Sequence, residues 1–136
     1  MKHITLILLT IGTLFLFLSC ALFPSSAKIT IKNNAFSAST AGRTTATFHD
    51  VYLDVSTSTN YKKEEHDIAY QKDYTFTITW YGKTTTDVSV KSGSATVTTA
   101  SGDSSEDGKT LCKLSDVKNG ESITKTIAFS NNSANC

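Results

Sequence analysis

The chain has 136 residues, enough for one domain, and carries 13 basic and 12 acidic side chains for a formal net charge of +1. This balance excludes the strongly basic face that nucleic-acid binding requires, so we expect no nucleic-acid partner. Serine and threonine together account for 39 residues, whereas there is one proline. A threonine-rich chain with regularly placed aromatic residues favours strands over helices.

The chain opens with a leader. A nearly unbroken apolar run of about 15 residues, from Ile4 to Leu18, follows the positive charge of Lys2. The run is long enough for the hydrophobic region of a signal peptide and short of the roughly 20 residues of a membrane-spanning helix. It therefore predicts export of the protein.

The apolar run ends in Ser19-Cys20-Ala21. This ending resembles the lipobox of bacterial lipoproteins, in which a small residue precedes a cysteine that becomes the mature N-terminus. The usual pattern has a leucine and a small residue where this chain has Phe17 and Leu18. The resemblance implies a signal peptide over residues 1–19, a diacylglycerol on Cys20, a tether over residues 20–27 and a location on a membrane of the bacterial envelope, periplasmic or surface-exposed.

Two other fates of the leader stay open. The residues Ser25-Ser26-Ala27 form a fair ordinary signal-peptidase site, since they are small and follow the helix-breaking Pro24. Cleavage there would release a chain that begins at Lys28. In the second alternative the leader is not cleaved and acts as an anchor.

The cysteine count fits an exported domain. If Cys20 is lipidated or removed, Cys112 and Cys136 remain. An even pair in an oxidising compartment predicts a disulfide, which would close a loop of about 25 residues and contribute roughly 3 kcal/mol. The alternative is a pair of free thiols in a chain that stays reduced.

From Lys28 onward the apolar residues alternate with polar ones, which is typical of half-buried strands. The clearest example places four residues on one face: Tyr74, Phe76, Ile78 and Trp80. Similar alternation marks the inward residues of the other predicted strands: Ile29, Ile31, Val51, Leu53, Val55, Val88, Val90, Ala95, Val97, Ile123, Ile127 and Phe129.

The segments between these strands carry the signals of turns and irregular backbone. Turn residues lie at Tyr81-Gly82-Lys83, Ser92-Gly93-Ser94, Asp107-Gly108 and Asn119-Gly120. Phe48 and Val51 differ in parity, which predicts a β-bulge at His49-Asp50. The segment from Lys62 to Tyr70 has no apolar stripe, and we predict a loop with at most one helical turn.

These observations predict an all-β fold over residues 28–136, an antiparallel sandwich of about seven strands. The stretch from Leu114 to Ile127 resembles the late strands of bacterial immunoglobulin-like domains, with an inward leucine, a glycine turn and an alternating strand. The resemblance covers about 15 residues and implies an immunoglobulin-like sandwich. Trp80 has no cysteine before it in the domain, so the Cys-Trp-Cys core of antibody domains is absent.

The sequence offers little catalytic chemistry. His49 and Asp50 are adjacent, and neighbours on a strand point to opposite faces, so a catalytic pair would need a bulge. There is no Gly-x-Ser-x-Gly motif and no phosphate-binding glycine loop. We therefore predict no enzyme activity, no catalytic residue and no cofactor.

An acidic segment offers a weak metal candidate. Asp103, Ser105 and Asp107, followed by Gly108, match the opening half of a calcium loop, but Leu114 stands where that loop needs a bidentate glutamate. We interpret the segment as a solvated acidic hairpin with Asp107-Gly108 as its turn, and we predict no metal site.

Aromatic residues are the remaining candidates for a binding surface. Tyr52, Tyr70 and Tyr81 lie on the outward parity or in loops and are candidates for an exposed patch. Together with the leader, they predict a membrane-anchored lipoprotein that acts as a binding or adhesion module for protein or glycan. The alternative is a structural or accessory envelope lipoprotein with no free ligand.

Overall fold

The computed structural model describes residues 23–39, 42–57, 64–130 and 133–136, and every regular element in these ranges is a β-strand. No helix in these ranges has the length and hydropathy needed to cross a bilayer. The predicted leader and Cys20 lie outside the described residues. The strands are β1 (Ser25–Asn33), β2 (Phe36–Ser39), β3 (Gly42–Val55), β4 (His66–Ile68), β5 (Asp73–Trp80), β6 (Thr85–Lys91), β7 (Ser94–Thr99), β8 (Gly102–Asp107), β9 (Thr110–Lys118), β10 (Ser122–Ser130) and β11 (Ser133–Asn135).

The strands form two sheets, which confirms the predicted all-β sandwich. The smaller sheet has the order β11-β10-β1-β5, and the larger one has the order β8-β7-β3-β6-β9, with β2 and β4 also paired to β3. One pairing departs from the predicted antiparallel arrangement, because β1 and β10 run parallel. This parallel pair joins the first described strand to a strand much later in the chain, while the other neighbour of β1, β5, is antiparallel to it.

Three of the chain's long segments bend at the same level, and the bends divide two of them into two strands each, which together with the short β2, β4 and β11 is consistent with a sandwich of about seven strands. Both β6 and β7 pair along one edge of β3, so together they form one bent strand. In the same way β8 pairs with β7 and β9 pairs with β6, so β8 and β9 together form a second bent strand. The chain from Thr85 to Lys118 is therefore one long hairpin with its turn at residues 100–101.

This hairpin corrects two turn predictions. Ser92-Gly93 and Asp107-Gly108 carry turn residues, but each lies at the bend of a continuous strand. A Cβ atom on Gly108 would collide with the carbonyl oxygens of Ser92 and Gly93, so the close approach of two strands requires glycine there. The turns at Gly82 and Gly120 agree with the prediction, and both glycines have the positive φ that such turns require.

The alternation of apolar residues matches the burial. Phe76, Ile78 and Trp80 are fully buried, as predicted for one face of β5. The predicted bulge is also present, because the pairing of β3 with β4 shifts between Phe48 and Val51 while both side chains stay buried. The alternation of apolar residues therefore predicted both the inward face of β5 and the position of the bulge in β3.

Two boundaries differ from the sequence prediction. The first strand begins at Ser25, inside the predicted tether, and Ala27 is only 3% exposed. Part of the predicted loop is the short strand β4, since Ile68 fills the core opposite Phe48 of β3. A three-residue strand is too short to show periodicity, so the sequence pattern did not predict β4. Lys62 and Lys63 of the predicted loop lie outside the described residues.

The C-terminus is tied to the larger sheet. Cys112 in β9 and Cys136 form a disulfide with their Cα atoms 5.3 Å apart, within the usual range for such a bond. The backbone N–H of Cys136 also donates to the carbonyl of Leu111 at 3.2 Å. Because β11 pairs with β10 of the smaller sheet, the last residues join the two sheets at this edge.

A buried amide, the side chain of Asn33, joins the two sheets at the end of β1. Asn33, at the end of β1, is fully buried. Its Nδ2 donates to the carbonyls of Ala46 in β3 and Ile68 in β4, at 2.7 and 2.8 Å, and its Oδ1 accepts the N–H of Ala35 at 3.0 Å. All three partner groups belong to buried residues, where a lost hydrogen bond is costly, so the side chain stabilises the contact between the sheets.

We predict that Asn33→Ala lowers the free energy of unfolding by about 3 kcal/mol, because it removes three hydrogen bonds to buried backbone groups at roughly 1 kcal/mol or more each. Denaturant unfolding of the purified domain measures this loss. Asn34→Ala is the matched control, since Asn34 is the next residue and is exposed. A loss below about 1 kcal/mol for Asn33→Ala would contradict the assigned role.

Candidate functional site

The bulge in β3 places His49 at the centre of a hydrogen-bonded chain. Its Nδ1 lies 3.1 Å from Oδ2 of Asp67, and its Nε2 lies 2.9 Å from Oγ1 of Thr96. Because a carboxylate only accepts, Nδ1 carries the proton that it donates to Asp67, and in the neutral ring Nε2 accepts from the Thr96 hydroxyl. Side chains of three strands, β4, β3 and β7, are thus linked in one line.

Asp67, and not the adjacent Asp50, is therefore the carboxylate partner of His49. Asp50 adopts a φ of 50° at the bulge, and its side chain lies beside Gly93. The other carboxylate oxygen of Asp67 accepts the backbone N–H of Asp50 at 3.1 Å. Sequence reasoning located the bulge but missed Asp67, because β4 is too short to be recognised from its pattern.

The hydrogen-bonded side chains of Asp67, His49 and Thr96 have the connectivity of an acid–base–nucleophile triad. The surroundings of Thr96 do not fit catalysis. Its strand β7 is paired with β3 on one edge and with β8 on the other, so the neighbouring N–H groups are engaged in the ladders and are not free to stabilise an oxyanion. The geometry supports a structural connection between strands at the bulge.

The electrostatics agree with that role. The hydrogen bond from His49, and then the one from the backbone of Asp50, lower the pKa of the Asp67 carboxyl below its usual value. The side chains of His49 and Asp67 are 33% and 63% exposed, so solvent screens the pair. Such a contact contributes modestly to stability and leaves the carboxylate ionised at neutral pH.

The second histidine belongs to a separate group. The ring of His66 stacks on Tyr74 with centroids 3.6 Å apart and meets the edge of Phe76 at 5.9 Å. Its Nε2 lies 3.4 Å from Oε1 of Glu64, which also accepts the Tyr74 hydroxyl at 3.3 Å. Burial, and then the charge of Glu64, raise the pKa of Tyr74. The side chains of this group cover one edge of the core, beside β5.

The weak calcium candidate has the geometry of a strand. Asp103, Ser105 and Asp107 all lie in β8, every residue of which is exposed. In an extended strand residues four apart are separated by about 13 Å, so Asp103 and Asp107 cannot ligate one ion as a loop does at 2.3–2.6 Å. Among the described residues no group of three or more His, Cys, Asp or Glu side chains could hold a metal ion.

The candidate aromatic residues are spread over the surface. Tyr81 is 56% exposed and follows Trp80, which pairs with Ser25 at the beginning of β1. Tyr70 stacks on Phe36 with ring centroids 6.1 Å apart, near the end of β1. The length of β1 separates the two, so the tyrosines do not form one patch.

The surface of the described residues includes a larger and a smaller cleft. The larger, of about 410 Å³, lies between the first described residues and the turn after β5, and its lining includes Phe23, Lys83 and Asn119. The smaller, of about 200 Å³, is polar and includes Lys32 and Gln71. Neither cleft is lined by His49 or His66.

We predict that Asp67→Asn lowers the free energy of unfolding by less than about 1 kcal/mol at pH 7, as for other exposed pairs. The folded state lowers the pKa of this carboxyl, so its contribution is present above the unfolded value of about 3.9 and is lost as the pH falls through the folded pKa. Unfolding curves of both proteins should therefore converge below about pH 4. Asp103→Asn, in the exposed β8, is the control and should change little at either pH.

Comparison of the chain with protein-family models, with curated proteins and with solved structures finds no significant match. No activity or ligand can thus be carried over from a relative. The proposal for the function therefore rests on the predicted leader, the position of the strands and the exposed surfaces of the described residues.

Proposed function

We propose that the protein is a bacterial envelope lipoprotein, anchored through Cys20, whose sandwich is a binding module for protein or glycan. The observation that supports the anchor is the position of β1. Ser26 is held on both sides, because its N–H donates to Oδ1 of Asn119 at 2.9 Å and its carbonyl accepts the N–H of Gly120 at 2.7 Å. The strand is thus ordered three residues before the alternative mature N-terminus at Lys28.

Cleavage after Ala27 would remove part of the core. It would delete Ser25, Ser26 and the buried Ala27 from the nine-residue β1. Cleavage before Cys20 leaves β1 whole, with four residues, Ala21 to Pro24, between the lipidated residue and the strand. The integrity of the fold therefore favours the lipobox-like site over the ordinary signal-peptidase site. A disulfide between Cys112 and Cys136 also fits an exported domain.

The supporting observation for a binding role is the distal ribbon, which we define as residues 94–107 of β7 and β8. It forms the far end of the long hairpin. The open end of the hairpin lies beside the start of β1, since Ser25, Thr84 and Asn119 line one cleft and the N–H of Ser26 donates to Asn119. From Thr85 to Thr99 an extended strand spans roughly 45 Å before bending is allowed for. An anchored domain would present this exposed ribbon away from the membrane.

The intact mass of the mature protein tests the anchor. We expect a chain that begins at Cys20 and carries added acyl groups, and we expect Cys20→Ala to accumulate as unprocessed precursor. The double variant Cys112→Ala/Cys136→Ala is the matched control, since it removes the other two cysteines and should stay membrane-bound. A mature chain that begins at Lys28 would contradict the proposal.

Site-specific photo-crosslinking in native membranes tests the binding role. A photoreactive residue at Ser105, in the distal ribbon, should give a discrete adduct. The same residue at Thr77, which is exposed on the outer face of β5, serves as the control and should not. Absent or equal labelling at the two positions would favour the alternative, a structural or accessory lipoprotein without a free ligand.

A further inference from the structure

We infer that one end of the sandwich is a lipid-contact surface that rests on the bilayer in which Cys20 is anchored. This inference rests on the proposed function. The surface, called here the anchor end, comprises the first described residues 23–26, the turn of residues 81–84 and the turn of residues 118–121. Its proposed occupant is the headgroup region of a phospholipid bilayer.

The first observation is the exposure of large hydrophobic side chains. Phe23 is 71% exposed and Tyr81 is 56% exposed, and the other large exposed hydrophobic residue in the described ranges is Phe36. Two of the three therefore lie at the anchor end. The pairing of Ser25 with Trp80 brings the residues before β1 and those after β5 side by side. Phe23 and Lys83 accordingly line the same cleft of about 410 Å³.

The second observation is the length of chain between the surface and the lipidated residue. Phe23 follows Cys20 by three residues, which span at most about 11 Å when fully extended. A cysteine whose acyl chains enter the bilayer thus keeps Phe23 within that distance of the membrane surface. The anchor end is then held close to lipid whatever conformation the tether adopts.

The chemistry of the anchor end suits this position. Phenylalanine gains free energy when it leaves water, and the amphipathic ring of tyrosine is favoured at the level of the headgroups. Lys83 can extend its apolar stem along the surface and place its ammonium group among phosphates. The turns also carry Lys118 and Glu121, so the charge of this end is nearly balanced. Aromatic insertion, and not attraction to anionic lipid, should therefore dominate the contact.

Paramagnetic broadening of backbone amide signals tests the inference. The lipidated protein is placed in nanodiscs of phosphatidylcholine that contain a small fraction of lipid with a gadolinium chelate on its headgroup. We expect the amides of residues 82–84 and 119–121 to lose at least threefold more intensity than those of residues 101–103 at the hairpin tip. Raising the salt concentration should leave the pattern unchanged.

The variants separate contact from mere tethering. Phe23→Ser/Tyr81→Ser should reduce the difference in broadening between the two ends without abolishing it, because the tether alone still keeps residue 23 near the bilayer. Phe36→Ser, the matched exposed aromatic residue away from the anchor end, should not alter the difference. An unchanged difference in the double variant would show tethering without contact and would overturn the inference. In the lipidated protein without substitutions, equal broadening of both ends, or stronger broadening at residues 101–103, would overturn the inference.

Failure of the proposed function has a different signature. Mass spectrometry of the starting material would then show Cys20 unmodified or missing. If Cys20 is present but unmodified, its thiol can be coupled to a maleimide lipid in the same nanodiscs, and the broadening pattern then tests the contact surface by itself. A difference in broadening that shrinks in Phe23→Ser/Tyr81→Ser would support the surface even without natural lipidation, and uniform broadening or a difference unchanged by these substitutions would refute it.

Discussion

The buried amide of Asn33 is the interaction on which the arrangement of the two sheets depends. Its side chain satisfies backbone groups of β3 and β4, while its own N–H and carbonyl bond to Lys72 and Gln71 in the turn before β5. One residue therefore fixes the end of β1 against both the larger sheet and the next strand of its own sheet. A hydrophobic residue of similar size would fill the space but lose these hydrogen bonds to buried backbone groups, at a cost comparable to a core cavity.

The bends of the larger sheet form a second shared constraint. His49-Asp50, Ser92-Gly93 and Gly108 lie next to one another in three neighbouring segments, and the N–H of Gly93 donates to the carbonyl of His49 at 3.0 Å. Because the three bends coincide, the sheet changes direction as a unit while its pairing continues. The hydrogen-bonded side chains of Asp67, His49 and Thr96 lie at the level of these bends and connect β4 and β7 to the bulge in β3. We therefore regard this connection as part of the sheet's construction.

Much of the fold could be predicted because alternation reports burial directly. The inward faces of β1, β5 and β6, the bulge at His49-Asp50 and the sandwich itself follow from that one signal. Alternation also contained a clue to Asn33, which falls on the same parity as the buried Ile29 and Ile31. What could not be predicted depends on partners: a glycine at a bend has the same sequence signal as one in a turn, and Asp67 becomes the partner of His49 only through pairing of β4 with β3.

The position of β1 has a consequence for the order in which the domain folds. It lies between β5 and β10, so its two hydrogen-bonding partners begin at Asp73 and Ser122. The first strand of the chain is therefore completed by nearly the last one, a contact of very high sequence separation that carries a large loop-closure entropy. A chain emerging from its N-terminus can assemble the long hairpin from local contacts, but its smaller sheet must wait until residue 130 has emerged.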